Sequence, residues 1–372
     1  VTSPAITPRN LYDRIRSGDV SVLDVRDRDE FDAWHVDGPG VTAAHVPYMQ
    51  FVSAQVSGDP AALVPDELDE PIVAVCGVGE ASDEVAAMLR EAGVDAVNLA
   101  GGMDAWGDLV VAHDLGGVVQ YERPSSGCLS YLLADGDEAA VVDPLAAASE
   151  RYAEDAADRG LDLRWAVDTH VHADHFSGVR ALAAETDAEP VLPAAATERG
   201  LNYDAALLAD GDALPVGGSD LVARHAPGHT TELVVFEWGD AVLTADCLFL
   251  DGVGRPDLED ADRARELAGR QYDTLHDLIF AYPDDERVFP GHVEATTPLA
   301  DDGFARDLGA VRESLAVADL SREAFVDALT TDLPPRPANY EAIVATNLGR
   351  REIDEGTLEL ERGPNNCAVS ST

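Results

Sequence analysis

Apolar run after apolar run in the later two thirds of this sequence stops at a histidine or an aspartate. LRWAVDTH (163–170) runs straight into VHADHF, LVARHAPGH (221–229) and RVFPGH (287–292) end in histidine, and AVLTAD (241–246) ends in aspartate. Aliphatic and β-branched runs of this length read as buried strands, and ELVVFEWG (232–239), CLSYLLAD (128–135) and EAAVVDP (138–144) extend the series. A Gly-Asp turn separates the last two, and a helix is expected around 147–159. In α/β architectures, separated side chains converge where strand ends share one edge. The pattern therefore demands sheets whose ends meet at a single site.

The densest stretch is THVHADHFSG (169–178), in which His170, His172 and His175 surround Asp174. The chain holds only ten histidines, so three within six positions point to metal binding over an ordinary polar turn. With His229, Asp246 and His292 they make seven positions that resemble the ligand set of the metallo-β-lactamase superfamily, over residues 117–362. His225, His35, His45, His113 and His276 are read as ordinary packing or surface histidines. The resemblance implies an αββα sandwich and two ways of using the set. Two zinc or iron ions would take His170, His172 and His229 on one side and Asp174, His175 and His292 on the other, with Asp246 bridging and a shared hydroxide attacking an ester or thioester. A single ion on His170, His229 and Asp246 would have the two-histidine, one-carboxylate face of non-haem Fe(II), with positions open for oxygen and substrate.

The stretch LDGVGRPDLED (250–260) resembles the Gly-Arg-Thr/Pro-Asp element of persulfide dioxygenases, whereas glyoxalase II enzymes carry a Gly-Arg-Phe-Phe type of sequence there. The segment 322–349 is similar to the C-terminal part of the same branch. This implies one Fe(II) per chain on His170, His229 and Asp246, with His172, Asp174, His175 and His292 orienting the ligands and lining the pocket. Arg255 and Asp257 join the candidate catalytic residues. Arg255 either grips a ligand aspartate or a substrate carboxylate by bidentate contact, or forms a structural pair with Asp257.

Upstream, SVLDVR (21–26), IVAVCG (72–77) and AVNLAGG (96–102) read as strands. SDEVAAMLREAG (82–93) reads as a helix with Ser82 at its N-cap, giving a small α/β domain with a mainly parallel sheet. Cys76 follows a strand and precedes a five-residue loop and that helix, where N–H groups lower a thiol's pKa and can cradle a persulfide anion. LDVRDRDEFDAWHVDG (23–38) and LAGGMDAW (99–106) resemble the rhodanese family, with Cys76 at the sulfurtransferase position. Many rhodaneses have an arginine where this chain has Ala81, preceded by Glu80, so persulfide handling is expected over thiosulfate:cyanide transfer. Cys128, Cys247 and Cys367 have no comparable setting.

Three segments are expected: 1–110 rhodanese-like, 117–362 metallo-β-lactamase-like, and a tail at 363–372. The function implied is oxidation of the sulfane sulfur of a small thiol persulfide by O2 to sulfite, coupled to sulfur transfer through Cys76. Glutathione is the family's usual thiol. The rivals are a dinuclear thioester hydrolase of the glyoxalase II type and a non-enzymatic sulfur carrier. Acidic residues number 71 against 25 basic ones, all arginine, for a net charge of −46. Nucleic acid is thereby a poor partner, and the charge reads as adaptation to a salt-rich cytoplasm, where screening acts over a few ångströms. No apolar run suits a membrane span, and the start does not resemble a signal peptide. Oligomeric state is left open, a homodimer included.

Overall fold

Every pairing among the first five strands is parallel. β1 (Ala5–Ile6), β2 (Val20–Asp24), β3 (Val41–His45), β4 (Ile72–Val75) and β5 (Ala96–Leu99) lie in the order β1-β5-β4-β2-β3. β2 and β4 are buried along their whole length, as befits a parallel sheet covered on both faces. Helices Pro8–Ser17 and Gly102–Gly107 cover one face through Leu11, Ile15 and Trp106. Tyr48–Ser57 and Glu80–Glu91 cover the other through Phe51, Val85 and Leu89. The structure is a computed structural model and describes residues 4–352 except 302, 332 and 338, together with 357–361 and 368–370.

The helix after Cys76 is capped three residues earlier than its sequence suggests. Gly79 is the N-cap, in the left-handed region at φ 87°, where a Cβ would meet the Gly101 nitrogen at 2.8 Å. Only glycine takes that cap without strain. Ser82 consequently sits inside the helix, buried, with its Oγ 2.7 Å from Asn98 Oδ1 on β5.

Beyond residue 110 two sheets stack face to face. β6 (Val111–Asp114), β7 (Val118–Arg123), β8 (Cys128–Asp135) and β9 (Glu138–Val142) form an antiparallel meander, continued in parallel by β10 (Asp162–Val167), β11 (Glu189–Pro193) and β12 (Ala206–Leu208). The second sheet has the order β13-β14-β15-β16-β18-β19: β13 (Ala213–Val216), β14 (Ser219–His225), β15 (Val234–Trp238), β16 (Ala241–Ala245), β18 (Arg287–Pro290) and β19 (Arg306–Asp307). Leu133, Val142 and Val167 of the first sheet pack against Ala223, Val235 and Leu243 of the second in one apolar core. Helices Ser149–Asp158 and Val179–Glu185 cover the first sheet through Tyr152 and Leu182. Ala264–Asp277 and Arg322–Thr330 cover the second through Leu275 and Phe325. This is the αββα sandwich expected from the sequence. A short pair, β17 (Gly252–Gly254) with β20 (Ala368–Ser370), brings part of the segment read as a tail back beside Gly254. Among the described residues no helix is long and apolar enough to cross a membrane.

The two parts are joined by buried polar contacts. On β7, Glu122 accepts from the Tyr12 hydroxyl and from Arg16 at 2.7 Å, with His113 Nε2 at 3.0 Å. Its neighbour Arg123 donates to the Gly107 carbonyl at 2.7 Å and pairs with Glu361 at 2.6 Å. Trp34 Nε1 donates to the Ser125 carbonyl at 3.2 Å.

Candidate metal centre

The histidine-rich loop leaves the end of β10 and is held by side chains from several segments. The Thr169 amide donates to Asp143 Oδ1 at 2.7 Å and its hydroxyl to Asp143 Oδ2 at 2.9 Å. With that proton committed to a carboxylate, Thr169 Oγ1 can only accept from His170 Nδ1, 2.9 Å away. The proton on Nδ1 leaves Nε2 with a bare lone pair. The same logic holds at His229, whose Nδ1 lies 2.7 Å from the Arg255 carbonyl, a pure acceptor. Asn347 donates to the carbonyls of His172 and His175, and Glu361 accepts from the Phe176 amide, so late segments clamp the loop.

His170 Nε2, His229 Nε2 and Asp246 Oδ2 are buried and make no hydrogen bond. Asp246 Oδ2 is 3.9 Å from the first and 3.5 Å from the second, and all three lie within 4.8 Å of one another. Two glycines permit this approach. At Gly254 a Cβ would meet the Asp246 carbonyl oxygen at 2.1 Å and His229 Nδ1 at 3.0 Å, and at Gly291 it would meet Asp246 Oδ1 at 2.6 Å. Three orphaned buried donors, two imidazole and one carboxylate, fit a divalent metal ion, because nothing else nearby satisfies them.

The other expected residues are close but otherwise engaged. His292 bridges two carboxylates, with Nδ1 2.7 Å from Asp246 Oδ1 and Nε2 3.0 Å from Asp174 Oδ2. His175 Nδ1 is 3.1 Å from Asp174 Oδ2, and His172 Nε2 is 3.0 Å from Asp143 Oδ1. His172 groups with Asp143 and Asp168, while Asp174, His175 and His292 group with Cys128. His172 Nδ1 and His175 Nε2 are also buried without a hydrogen bond.

Burial, reinforced by His172 and His229, drives the basicity of His170 well below the ordinary imidazole value, and burial likewise lowers His229. Burial also opposes charge on His292, but Asp246, Cys128 and Asp174 hold its pKa well above the usual range. Asp246, against the effect of its own burial, is held below the ordinary carboxylate range by His292. Burial pushes Asp168 up to about 6 despite the neighbouring His172.

Arg255 is almost wholly buried. Its guanidinium meets Asp257 at 2.7 and 3.1 Å and donates to the carbonyls of Pro334 and Pro335 at 2.8 and 2.9 Å. Asp257 is also held by Arg336 at 3.0 Å. Of the two sequence alternatives for Arg255, the geometry has the pair with Asp257, and its backbone carbonyl is what touches a candidate ligand.

Cys128 is the residue that sequence reasoning missed. Its Sγ lies 3.2 Å from Asp174 Oδ2 and 3.0 Å from Ser126 Oγ, and its backbone bridges that of His292. Asp143 was likewise readable only as a strand end. Cys247 is buried, which with Asp246 beside it pushes its thiol up to about 12, and Cys367 lies outside the described residues. Cys76 belongs to a different place, the end of β4. The Gly79 amide donates to its Sγ at 3.1 Å and Ser82 Oγ lies 3.2 Å away, at the start of the helix Glu80–Glu91.

Residues 7–109 match the family model of the rhodanese-like domain, and residues 124–292 that of the metallo-beta-lactamase superfamily. The human mitochondrial persulfide dioxygenase ETHE1 is 30% identical over 239 residues, covering 62% of this chain and 86% of that protein. The chain belongs to the metallo-β-lactamase superfamily. It is an enzyme of that superfamily with a rhodanese domain ahead of it. Another member, a hydroxyacylglutathione hydrolase of Methylobacillus flagellatus, is 33% identical over 244 residues, covering 64% of the chain and 89% of the relative. Among solved structures, ETHE1 from Myxococcus xanthus superposes with a TM-score of 0.55 at 28% identity, over 62% of this chain and 98% of that one.

Proposed function

We propose that this superfamily member is a persulfide dioxygenase with a working sulfurtransferase domain. The overall reaction is RSSH + O2 + H2O giving RSH, sulfite and two protons. The observation that carries the reading is the convergence of His170 Nε2, His229 Nε2 and Asp246 Oδ2, while both ring nitrogens of His292 are committed to carboxylates. That arrangement favours one ion over two, and the likeness to ETHE1 proteins supports the same choice.

Fe(II), when bound to these three residues, supplies the activation of O2 and open positions beside it. The chain's own groups prepare the site. Thr169 and the Arg255 carbonyl fix the tautomers of His170 and His229, so that each offers Nε2. His292 holds Asp246 by one oxygen and leaves the other for the metal. Asp257, itself gripped by Arg336, holds Arg255, whose backbone carbonyl meets His229, which makes Arg255 a positioning residue. At Cys76 the Gly79 amide donates to the sulfur beside the start of a helix, a setting that can cradle a persulfide anion.

A dinuclear thioester hydrolase is the second reading, favoured by the likeness to hydroxyacylglutathione hydrolase and by the Cys128, Asp174, His175 and His292 group. Metal analysis of anaerobically purified protein, with an oxygen-electrode trace on adding a persulfide, separates the two. About one iron per chain with persulfide-dependent oxygen uptake is expected. Two zinc ions per chain with rapid thioester hydrolysis would reverse the ranking.

A further inference from the structure

The sulfur of Cys76 meets the Gly79 amide at 3.1 Å and Ser82 Oγ at 3.2 Å, and both of these residues lead to one side chain. Asn98 on β5 reaches each of them, with Nδ2 3.0 Å from the Gly79 carbonyl and Oδ1 2.7 Å from Ser82 Oγ. It can do so because Asn98 is the parallel partner of Ala74, two residues before Cys76 and on the same face of the sheet, the face covered by the helix Glu80–Glu91. The first half of the loop is fixed differently: the carbonyls of Cys76 and Gly77 accept from the amides of Met103 and Asp104 at 2.8 and 3.0 Å. The second half, which touches the sulfur, hangs on Asn98.

The partners of this amide decide where the protons lie. A carbonyl only accepts, so the nitrogen of Asn98 faces Gly79 and its oxygen faces Ser82. An amide oxygen only accepts in turn, which commits the single hydroxyl proton of Ser82 to Asn98. Ser82 Oγ therefore turns lone pairs toward Cys76, an arrangement that accepts from a thiol S–H and gives nothing to a thiolate. Asn98 and the sulfur compete for one proton, and the shorter contact belongs to Asn98. Both Asn98 and Ser82 are buried, so bulk water does not replace either partner.

We propose that Asn98 is a positioning residue for sulfur transfer at Cys76: it aims the Gly79 amide at the sulfur and withholds the Ser82 proton, so that the thiolate meets incoming sulfur held by one donor and not two. The proposal rests on the reading that Cys76 carries sulfane sulfur. In that cycle the thiolate attacks the outer sulfur of RSSH and expels RS⁻; sulfite then takes that sulfur as thiosulfate, returning the thiolate and a proton. Each hydrogen bond that a thiolate accepts stabilises it and lowers its nucleophilicity.

The test compares full-length protein carrying Asn98→Leu, which keeps the volume and removes both contacts, with wild type in thiosulfate formation from sulfite and a small persulfide. kcat should fall on the order of ten-fold while KM stays within two-fold, the loss expected for one misplaced hydrogen bond. Asn98→Ala repeats the measurement should leucine not fold, with melting temperature and oxygen uptake, a reaction of the other site, reporting on folding. A second readout needs no turnover. On the alkaline plateau, the rate at which iodoacetamide alkylates Cys76, followed by mass spectrometry, should drop in Asn98→Leu, because the freed Ser82 proton turns to the sulfur. In a Ser82→Ala background the same substitution should have little effect on that rate, and Ser82→Thr, which keeps the hydroxyl, should behave as wild type. A kcat within two-fold of wild type in Asn98→Leu while Cys76→Ser is inactive, or an alkylation rate that Asn98→Leu changes equally with and without Ser82, overturns the proposal. If wild type itself transfers no sulfur, the carrier reading fails, and the alkylation arm alone decides whether Asn98 governs the sulfur.

Discussion

Thr169→Val tests whether the hydroxyl at the head of the histidine loop sets the metal affinity. Valine keeps the branched shape and deletes the oxygen. In the native structure that oxygen makes two buried contacts of 2.9 Å, one to Asp143 and one to His170 Nδ1. Without it, the Nδ1 proton is left unsatisfied at a cost of about 1–3 kcal/mol, or the proton moves to Nε2 and the lone pair the metal needs is lost. Loss of an outer partner of a ligating histidine costs about ten- to a hundred-fold in metal affinity, equivalent to about 1.4–2.8 kcal/mol. The assay is competition for Fe(II) against a chelator of known affinity under anaerobic conditions. Thermal unfolding of the metal-free protein runs alongside, to separate folding from binding. Thr169→Ser, which restores the hydroxyl, should recover most of the affinity. If valine weakens folding but leaves the chelator competition within two-fold of wild type, or if serine binds metal as poorly as valine, the hydroxyl does not set the tautomer and the argument fails.

Asp246→Ala should lose the metal outright, whereas His292→Ala, which removes a hydrogen-bonding partner of Asp246, should retain much of it; equal loss in both, measured by elemental analysis, would favour a shared two-metal site. Cys76→Ser should leave oxygen uptake on a small persulfide nearly intact while removing sulfur transfer between sulfite and persulfide, because serine cannot carry sulfane sulfur; thiosulfate formation at the wild-type enzymatic rate in the variant would make the rhodanese-like part a scaffold. With a net charge of −46 and no lysine, the native state should need molar salt and loosen in dilute buffer. A melting temperature that stays flat from dilute buffer to concentrated KCl contradicts this.

Strand ends, apolar runs and local spacing carry short-range information, and the parts of the structure that depend on them were legible. Asp246 directly follows β16, and His170 and His229 lie in the loops three and four residues past the ends of β10 and β14, so their convergence follows once the strands form sheets. The parallel sheet around Cys76 follows from short buried runs alternating with helices. What was not legible depends on register between distant segments. Cys128 reaches Asp174 because the start of β8 bridges the backbone at His292, a pairing no local pattern announces. The donors of Arg255 are absorbed by the carbonyls of Pro334 and Pro335, far along the chain, which its motif does not contain. Ser82 is a good N-cap residue by type, yet the close approach of Gly101 reserved the cap for Gly79.

Glu122 and Arg123 are adjacent on one strand, so their side chains leave it on opposite faces, and both are buried. One carboxylate is satisfied by Tyr12 and Arg16, and the neighbouring guanidinium by Gly107 and by Glu361 near the other end of the described chain. A fragment cut at the boundary between the two parts would carry a carboxylate whose Tyr12 and Arg16 partners had stayed behind, and a guanidinium missing the Gly107 carbonyl. The two parts resemble separate families, but they are soldered at this strand: Arg16 of the first is the counter-ion of Glu122 in the second, and the Gly107 carbonyl of the first satisfies Arg123. They are expected to melt in one transition and to resist being exchanged for relatives that lack the matching half of the joint.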